Sequence, residues 1–288
     1  KGKYGGDGKP RPIPGHNMPM FGLGVLILWL GWFGFNPGST LGALDGRFPE
    51  VVMITQLACA AGVITAALTS RITQKTIDIG MVGNGAIAAL VAITAPSGYV
   101  EAWAAPIIGA VAGVLVVLAI PAVDKLIDDP VGALSAHGLA GVWGTLSCGI
   151  FTAPRLAEYN AFGVTNDDGA FVGGFVYASG LIGQGANAVP GAAFDLLAFK
   201  QLGAQALGIV VAFAFVVAAS FATFYVIKKV YGLRVTEAEE DGGLDIAEHG
   251  MYGYPEQFIP QGEFPGASTS PTAAASAATA VKPAASKA

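Results

Sequence analysis

The residue best suited to take part in chemistry or transport is a histidine inside a long uncharged run. Residues Asp128 to Ile150 read DDPVGALSAHGLAGVWGTLSCGI, and His137 stands among Gly and Ala within that run. With an unperturbed pKa of about 6.5, an imidazole can donate or accept a hydrogen bond while it stays neutral. An ionisable group at hydrocarbon depth is costly, so it usually faces a polar partner or a transport path. Two roles stay open: a pore-lining group that meets a small polar substrate, or a neutral side chain bonded to a neighbouring helix.

A second group of candidate residues lies in the segment GWFGFNPGST, from Gly31 to Thr40. Phe33 and Phe35 beside small residues can present an aromatic face to an entering cation, an attraction worth about 0.5–2 kcal/mol. Asn36, Ser39 and Thr40 can supply hydrogen-bonding groups in the same place. The alternative is an aromatic belt at the membrane interface, which composition alone favours. The Asn-Pro-Gly run interrupts a helix, and broken backbone near a membrane is tolerated only beside water or protein.

No pattern of a catalytic or metal-binding site stands out. The three histidines, His16, His137 and His249, are widely separated, and the two cysteines fall inside apolar runs without CxxC spacing. We therefore predict a protein that is not an enzyme, with no metal ion and no cofactor. The formal net charge of −5 also argues against nucleic-acid binding.

The composition predicts an all-α integral membrane protein. Hydrophobic residues make up 53% of the 288 residues, charged residues only 12%, and the mean hydropathy is +0.58. An ordinary soluble domain is about 25% charged, so this chain lacks the polar side chains to cover a surface of its size in water. A surface that faces the lipid bilayer resolves the deficit, and the 41 Gly suit close helix packing.

Six uncharged runs are long enough to cross the membrane and to position these residues. About 20 apolar residues span the hydrocarbon core as a helix. The predicted spans lie near residues 18–40, 51–70, 79–100, 102–123, 130–153 and 203–228. A seventh run, residues 169–194, is weak because it is Gly-rich and contains Gln184, Asn187 and Pro190. We therefore assign residues 155–200 to one long outer loop.

The basic residues determine the predicted orientation, because cytoplasmic loops carry an excess of Lys and Arg. With six spans, one side of the membrane receives Lys1, Lys3, Lys9, Arg11, Arg71, Lys75, Lys125, Lys228, Lys229 and Arg234. The other side receives only Arg47, Arg155 and Lys200. Both termini are therefore predicted to be cytoplasmic. Residues 1–17 form a cytoplasmic loop, 231–258 a cytoplasmic tail and 259–288 a disordered low-complexity segment.

In three segments the chain resembles the ammonium transporter family (Amt/Mep, with the Rh proteins as relatives), and within it the Amt branch. The segments are GHNMPMFGLGVLILWLGWFGFNPGS, DDPVGALSAHGLAGVWGTLSCGIF and GLRVTEAEEDGGLDIAEHGMYGYP, in matching order. Family members usually have eleven helices: two inverted five-helix repeats around a narrow pore, then a long last helix and a cytoplasmic tail. The resemblance covers residues 1–255. It implies that this chain is the second repeat, the last helix and the tail, without the first five helices.

The resemblance also implies roles for single residues. Phe35 would gate the outer vestibule, Ser39 would help form the outer ammonium site, and His137 would be one of two paired pore histidines. A homotrimer in the plasma or bacterial inner membrane is implied, with ammonium or ammonia as the substrate. The tail would contact a PII-type signal protein, and the candidate regulatory residues are Arg234, Gly243, Asp245, His249, Gly250 and Tyr254.

Two alternatives stay open beside a channel-like ammonium transporter. The same fold could serve as an ammonium sensor that reports to a signalling partner, or the chain could be an inactive membrane fragment. The second pore histidine and second gate phenylalanine of the family belong to its first repeat and have no counterpart in this sequence. A pore between two repeats therefore needs a second set of helices, encoded upstream or supplied by another chain.

Overall fold

The computed structural model describes residues 7–178 and 197–254, apart from residues 12, 14, 45, 162, 164, 168 and 172. Within these residues the regular structure is helical, and an isolated β-bridge pairs Thr165 with Phe171. The all-α prediction is confirmed for this part of the chain. The predicted low-complexity segment 259–288 and much of the predicted outer loop lie outside the described residues. The chain divides into two compact units, Lys1–Val216 and Val217–Ala288.

Helices occupy the region of each predicted span, although their ends differ from the prediction. The α-helices are α1 Met18–Phe35, α2 Arg47–Gln74, α3 Ile79–Thr94, α4 Ala104–Val123, α5 Ala140–Phe151, α6 Pro154–Tyr159, α7 Phe175–Ala178, α8 Leu197–Val230, α9 Glu237–Gly242 and α10 Leu244–His249. A 3-10 segment, Pro37–Thr40, follows α1. A π-helical segment, Leu134–Leu139, leads into α5.

Four of the described helices are long and apolar enough to cross a membrane: Met18–Thr40, Arg47–Gln74, Ala104–Val123 and Phe199–Val230. Helix α3 is shorter, with 16 residues, and rises about 24 Å at about 1.5 Å per residue. The remaining predicted span, residues 130–153, is built from the π-helical segment and the 12-residue α5.

Local sequence explains where several helices begin. The side chain of Asn17 accepts a hydrogen bond from the backbone N–H of Met20 at 2.9 Å and caps α1. Asp78 accepts in the same way from Met81 at 3.1 Å and caps α3. These side chains satisfy N–H groups that have no partner inside the helix.

The helix ends also show why uncharged runs are an imperfect guide to helix length. Helix α2 extends past the predicted span 51–70 at both ends. Its added turns contain the charged residues Arg47, Glu50 and Arg71. Helix α1 stops at Phe35 because Pro37 lacks the N–H group that would continue the helix. A helix can therefore carry charged residues beyond the hydrocarbon, or break within an uncharged run.

Small residues let the central helices of the first unit approach closely. Helix α2 packs against both α3 and α4. A Cβ atom on Gly109 of α4 would overlap the carbonyl oxygen of Ala58 in α2. Across the same contact, Thr65 of α2 donates a hydrogen bond to the carbonyl oxygen of Ala110 at 2.9 Å. Such close approach is how helices associate in lipid, where burial of apolar surface gives little driving force.

Candidate functional site

The change from α-helix to 3-10 helix after α1 brings Phe35 and Ser39 together. Ser39 donates its hydroxyl hydrogen to the carbonyl oxygen of Phe35 at 2.6 Å. Phe35 is 58% exposed and packs edge-to-face on Trp32, with ring centroids 5.9 Å apart. Because Ser39 uses its hydrogen within the turn, its oxygen can still accept a hydrogen bond. An open aromatic face and an acceptor hydroxyl therefore lie side by side.

Two hydrogen bonds to neighbouring helices hold this turn. Trp32 donates from Nε1 to Oγ1 of Thr94 in α3 at 2.9 Å. Asn36, which is only 5% exposed, donates from Nδ2 to Oγ1 of Thr55 in α2 at 3.2 Å. Buried polar groups that are paired in this way rigidify the structure around them. The position of Phe35 is thus set by contacts on both sides of it in the sequence.

His137 lies in the π-helical segment that precedes α5. Turns of this kind are rare, and they are frequent at functional sites. The side chain is exposed on the surface of the chain, and it has no hydrogen-bond or ion-pair partner among the described residues. One turn further on, a Cβ atom at Gly141 would meet only Val91, at 3.9 Å. Within the described residues the imidazole therefore bonds no neighbouring helix and stays available to another group.

A buried carboxylate holds the start of the π-helical segment. Asp129 is 4% exposed. It accepts hydrogen bonds from the backbone N–H of Leu134 at 3.0 Å, the backbone N–H of Ser135 at 3.3 Å and the Ser135 hydroxyl at 3.3 Å. The negative charge also lies at the positive end of a helix, where it is favoured. Asp129 is therefore a positioning residue for His137, which follows two residues after Ser135.

Four charged residues form a network near the turn that carries Ser39. Arg47 pairs with Glu50 and donates to the carbonyl oxygen of Gly98 at 2.7 Å. Arg155 pairs with Glu50 at 2.9 Å and with Glu101 at 2.8 Å. The hydrogen bond to Glu101 raises the pKa of the Arg155 guanidinium. The network joins the start of α2, the turn before α4 and the start of α6.

In the second unit, a capping box begins the short helix α9. Thr236 and Glu239 bond each other's backbone N–H groups reciprocally. Glu239 accepts hydrogen bonds from the Thr236 hydroxyl at 2.7 Å and from its N–H at 2.8 Å. These two bonds lower the pKa of the Glu239 carboxyl below its ordinary value.

The six predicted regulatory residues lie in and around α9 and α10. The φ angles of Gly243 and Gly250 are 87° and 68°, a region that glycine adopts without strain. Asp245 accepts a hydrogen bond from the backbone N–H of Gly253 at 2.9 Å, which folds the end of the tail back onto α10. The other three are Arg234, which pairs with Glu240, His249, which ends α10, and Tyr254, which is half-buried.

Sequence reasoning missed the partners that hold the site residues in place. Thr94 meets Trp32 across 62 residues of sequence, and Glu50 meets Arg155 across 105. No local sequence pattern predicts such pairs. Polar residues inside apolar runs, such as Thr55 and Thr94, indicate only that some hydrogen-bond partner lies nearby in the fold. Among the described residues, no group of three or more His, Cys, Asp or Glu side chains could hold a metal ion.

The long apolar helices and their close packing through small residues define a multi-pass helical membrane protein. The family model described as Ammonium Transporter Family matches residues 1–254. The chain therefore belongs to the ammonium transporter family.

Individual relatives agree with this assignment. Ammonium transporter Amt2 of Archaeoglobus fulgidus is 38% identical over 265 residues, which cover 92% of this chain and 51% of that protein. Ammonium transporter Amt1 of Haloferax mediterranei is 34% identical over 89% of this chain and 44% of that protein. These relatives carry the names of transporters, in line with the prediction of a protein that is not an enzyme. The chain spans about half the length of the curated relatives it matches.

Solved structures show the same likeness in three dimensions. A protein described as Sensor Amt Protein matches with a TM-score of 0.70 at 34% identity, over 86% of this chain and 53% of that chain. Mep2 from Candida albicans matches with a TM-score of 0.64 at 27% identity, over 85% of this chain and 49% of that chain.

Proposed function

We propose that the chain forms one side of an ammonium-conducting pore in the plasma or bacterial inner membrane. The observation that carries the proposal is His137, an exposed imidazole on an apolar bundle in a member of the ammonium transporter family. Its backbone segment is held by the buried carboxylate of Asp129. Contact with lipid would be costly for this ring. A second set of helices covers the surface and leaves a narrow path along the imidazole.

In this pore the outer mouth binds the cation first, and the histidine provides a hydrogen-bonding group in the apolar section. Phe35 offers its face to the positive charge, and Ser39 accepts a hydrogen bond from the nitrogen. A hydrated cation loses several kcal/mol on entering an apolar pore without polar partners. That penalty favours deprotonation of the cation at His137, or passage of the cation while it is hydrogen-bonded to His137. Ions that have no proton to lose are excluded for the same reason.

In the proposed topology the chain crosses the membrane six times, and both termini lie in the cytoplasm. The crossings are α1 to α4, the π-helical segment together with α5, and α8. The charged network supports this topology. Arg47, Glu50, Glu101 and Arg155 all fall on the predicted outer side, and they bond to one another, as residues on one face of a membrane can. In the family's arrangement these elements are the second repeat, the last helix and the tail.

Uncovered apolar surface supports an assembly larger than this chain. The apolar windows of the first and last spanning helices are only 6% and 0% buried. We propose that lipid, the second set of helices and neighbouring subunits of a homotrimer share this surface. The residues Arg234 to Tyr254 form the proposed contact for a PII-type signal protein on the cytoplasmic side.

Uptake of labelled methylammonium tests the proposed function. The natural protein is produced in cells without ammonium transporters of their own, and uptake is compared between wild type, His137→Ala and Thr145→Val. Thr145 bonds within its own helix, to the carbonyl oxygen of Gly141 at 2.9 Å, so its variant is the matched control. Loss of a polar partner worth about 1–3 kcal/mol predicts a decrease of about fivefold or more for His137→Ala. Equal uptake by His137→Ala and Thr145→Val at equal protein levels would refute the role of the imidazole.

A second candidate function is an ammonium sensor. The similarity to the structure described as Sensor Amt Protein, 34% identical over 86% of this chain, favours it. A sensor binds ammonium and changes the exposure of its tail without sustained flux. Purified protein in proteoliposomes separates the two candidates. Methylammonium-dependent protection of the tail from protease, without uptake above empty liposomes, would identify a sensor, whereas saturable uptake would identify a transporter.

A further inference from the structure

Helix α3 is buried on all but one face over most of its length. From residue 83 to its last residue, the positions that are not buried are Asn84, Val91 and Thr94. With 3.6 residues per turn, residues three and seven apart lie on one face of a helix. These three residues therefore form a narrow open face, and an amide occupies the end of it that is nearer the start of the helix.

The open face runs beside the segment that carries His137. A Cβ atom at Gly141, one turn after His137, would meet Val91 at 3.9 Å. A Cβ atom at Gly132, five residues before His137, would lie 3.8 Å from Nδ2 of Asn84. Seven residues of α-helix rise about 10 Å. Val91 and Asn84 therefore flank the histidine segment at two levels of the bundle.

The other end of the open face lies near the outer mouth. Thr94 accepts the hydrogen bond from Nε1 of Trp32 at 2.9 Å, and Trp32 packs on Phe35. In the proposed topology α3 begins on the cytoplasmic side of the membrane. The open face therefore leads from the outer mouth, along the histidine segment, to Asn84 on the inner side.

The amide of Asn84 keeps most of its hydrogen-bonding capacity. Nδ2 donates to the carbonyl oxygen of Gly80, one turn earlier in α3, at 3.1 Å. That carbonyl can only accept, which identifies the nitrogen and the oxygen of the amide. Within the part of the chain that the structure describes, Oδ1 and the second N–H of Nδ2 have no partner. A polar group inside a spanning segment usually faces a polar partner or a transport path.

We propose that Asn84 binds the transported nitrogen on the cytoplasmic side of His137. The inference rests on the proposed function, because a second set of helices must enclose the open face as a path. Ammonium and ammonia both carry N–H groups that Oδ1 can accept, and ammonia has a lone pair to which Nδ2 can donate. The amide thus gives the nitrogen a polar partner after it leaves the imidazole and before water surrounds it.

Two substitutions of the same shape test this role. Asn84→Val removes the hydrogen-bonding groups, whereas Asn84→Thr keeps a hydroxyl oxygen that can accept. Methylammonium uptake is measured over a range of concentrations, with the natural protein in cells without ammonium transporters of their own. Melting curves of the purified variants verify that each is folded.

Asn84→Val should lower Vmax about three- to tenfold with KM unchanged, because the lost hydrogen bond forms during passage and not at the outer mouth. Asn84→Thr should stay within about twofold of wild type. Ser39→Ala, at the outer mouth, should instead raise KM. The contrast between Vmax and KM separates an inner binding group from an outer one.

Thiol labelling tests the position of the residue independently of uptake. Cys59 and Cys148 are replaced by Ala, and inside-out membrane vesicles carrying Asn84→Cys or Leu118→Cys receive a positively charged methanethiosulfonate reagent. Asn84 is the sixth residue of α3, and Leu118 is the sixth from the end of α4, so both lie at similar depth. Leu118 is 51% exposed on an apolar helix and is the matched control. The thiol at position 84 should react, more slowly when methylammonium is present, and the thiol at position 118 should not.

Unchanged uptake by Asn84→Val, with uptake lowered by His137→Ala, would overturn the role of Asn84 while the proposed function stands. Equal losses in Asn84→Val and Asn84→Thr would also overturn it, because shape rather than hydrogen bonding would then matter. So would a thiol at position 84 that does not react. Absence of wild-type uptake would refute transport. In that case a reaction at position 84 that methylammonium slows would keep the inferred site, and an unaffected rate would overturn it.

Discussion

Replacement of Asp129 by Ala should destabilise the segment that carries His137. The carboxylate is 4% exposed and accepts bonds from two backbone N–H groups and one hydroxyl. Each buried N–H left without a partner costs about 1–3 kcal/mol, so Asp129→Ala should cost about 2–6 kcal/mol. For a domain of this size about 1 kcal/mol shifts the melting temperature by about 2–4 °C. The expected decrease is therefore about 4–24 °C.

The neighbouring carboxylate supplies the control for this prediction. Asp128 is exposed, and changes at surface positions are usually within about 0.5 kcal/mol, so Asp128→Ala should shift melting by about 2 °C or less. The assay is thermal unfolding of the purified protein in detergent, followed by methylammonium uptake at a temperature where each variant is folded. Asp129→Ala should also lower uptake, because the His137 segment loses its anchor. Equal melting of the two Ala variants would show that the buried hydrogen bonds do not hold the segment.

Two further predictions concern the helix core and the tail. Gly109→Val should cost about 3 kcal/mol or more, because a side chain would overlap the backbone of Ala58. Gly203→Val is the control, because nothing lies within 4 Å of the added Cβ, and it should leave the yield of folded protein in size-exclusion chromatography unchanged. An equal loss of folded protein in both variants would contradict the close α2–α4 contact. In the tail, the lowered pKa of Glu239 means that its contribution to α9 is present above the ordinary carboxyl pKa and lost as pH falls through the lowered value. In a carboxyl NMR titration, Thr236→Ala should raise the Glu239 pKa towards the ordinary value and Thr236→Ser should keep it low, whereas equal titration of the two variants would refute the capping box.

The sequence predicts the helices well and the contacts between them poorly. A helix overlaps each uncharged run that was predicted as a span, since apolar length is a local property, but four of the described helices are long and apolar enough to cross a membrane. The π-helical turn at His137 was not predicted, because it depends on how Asp129 meets the backbone N–H groups of Leu134 and Ser135. The burial of Arg47 was also unexpected, since a basic residue beside a predicted span is expected to lie in an exposed loop. Its partner carbonyl at Gly98 lies 51 residues away, and such pairing is set by the fold rather than by local pattern.

The central claim is that protein, not lipid, covers the exposed imidazole of His137. Spin labelling in bilayers tests it directly, with Cys59 and Cys148 replaced by Ala and a single cysteine introduced at position 137. Leu207 of α8, which is 64% exposed, provides the position expected to face lipid. Oxygen, which concentrates in hydrocarbon, should relax a label at position 137 far less than one at Leu207. Equal relaxation by oxygen at the two positions would place His137 against lipid and contradict the account.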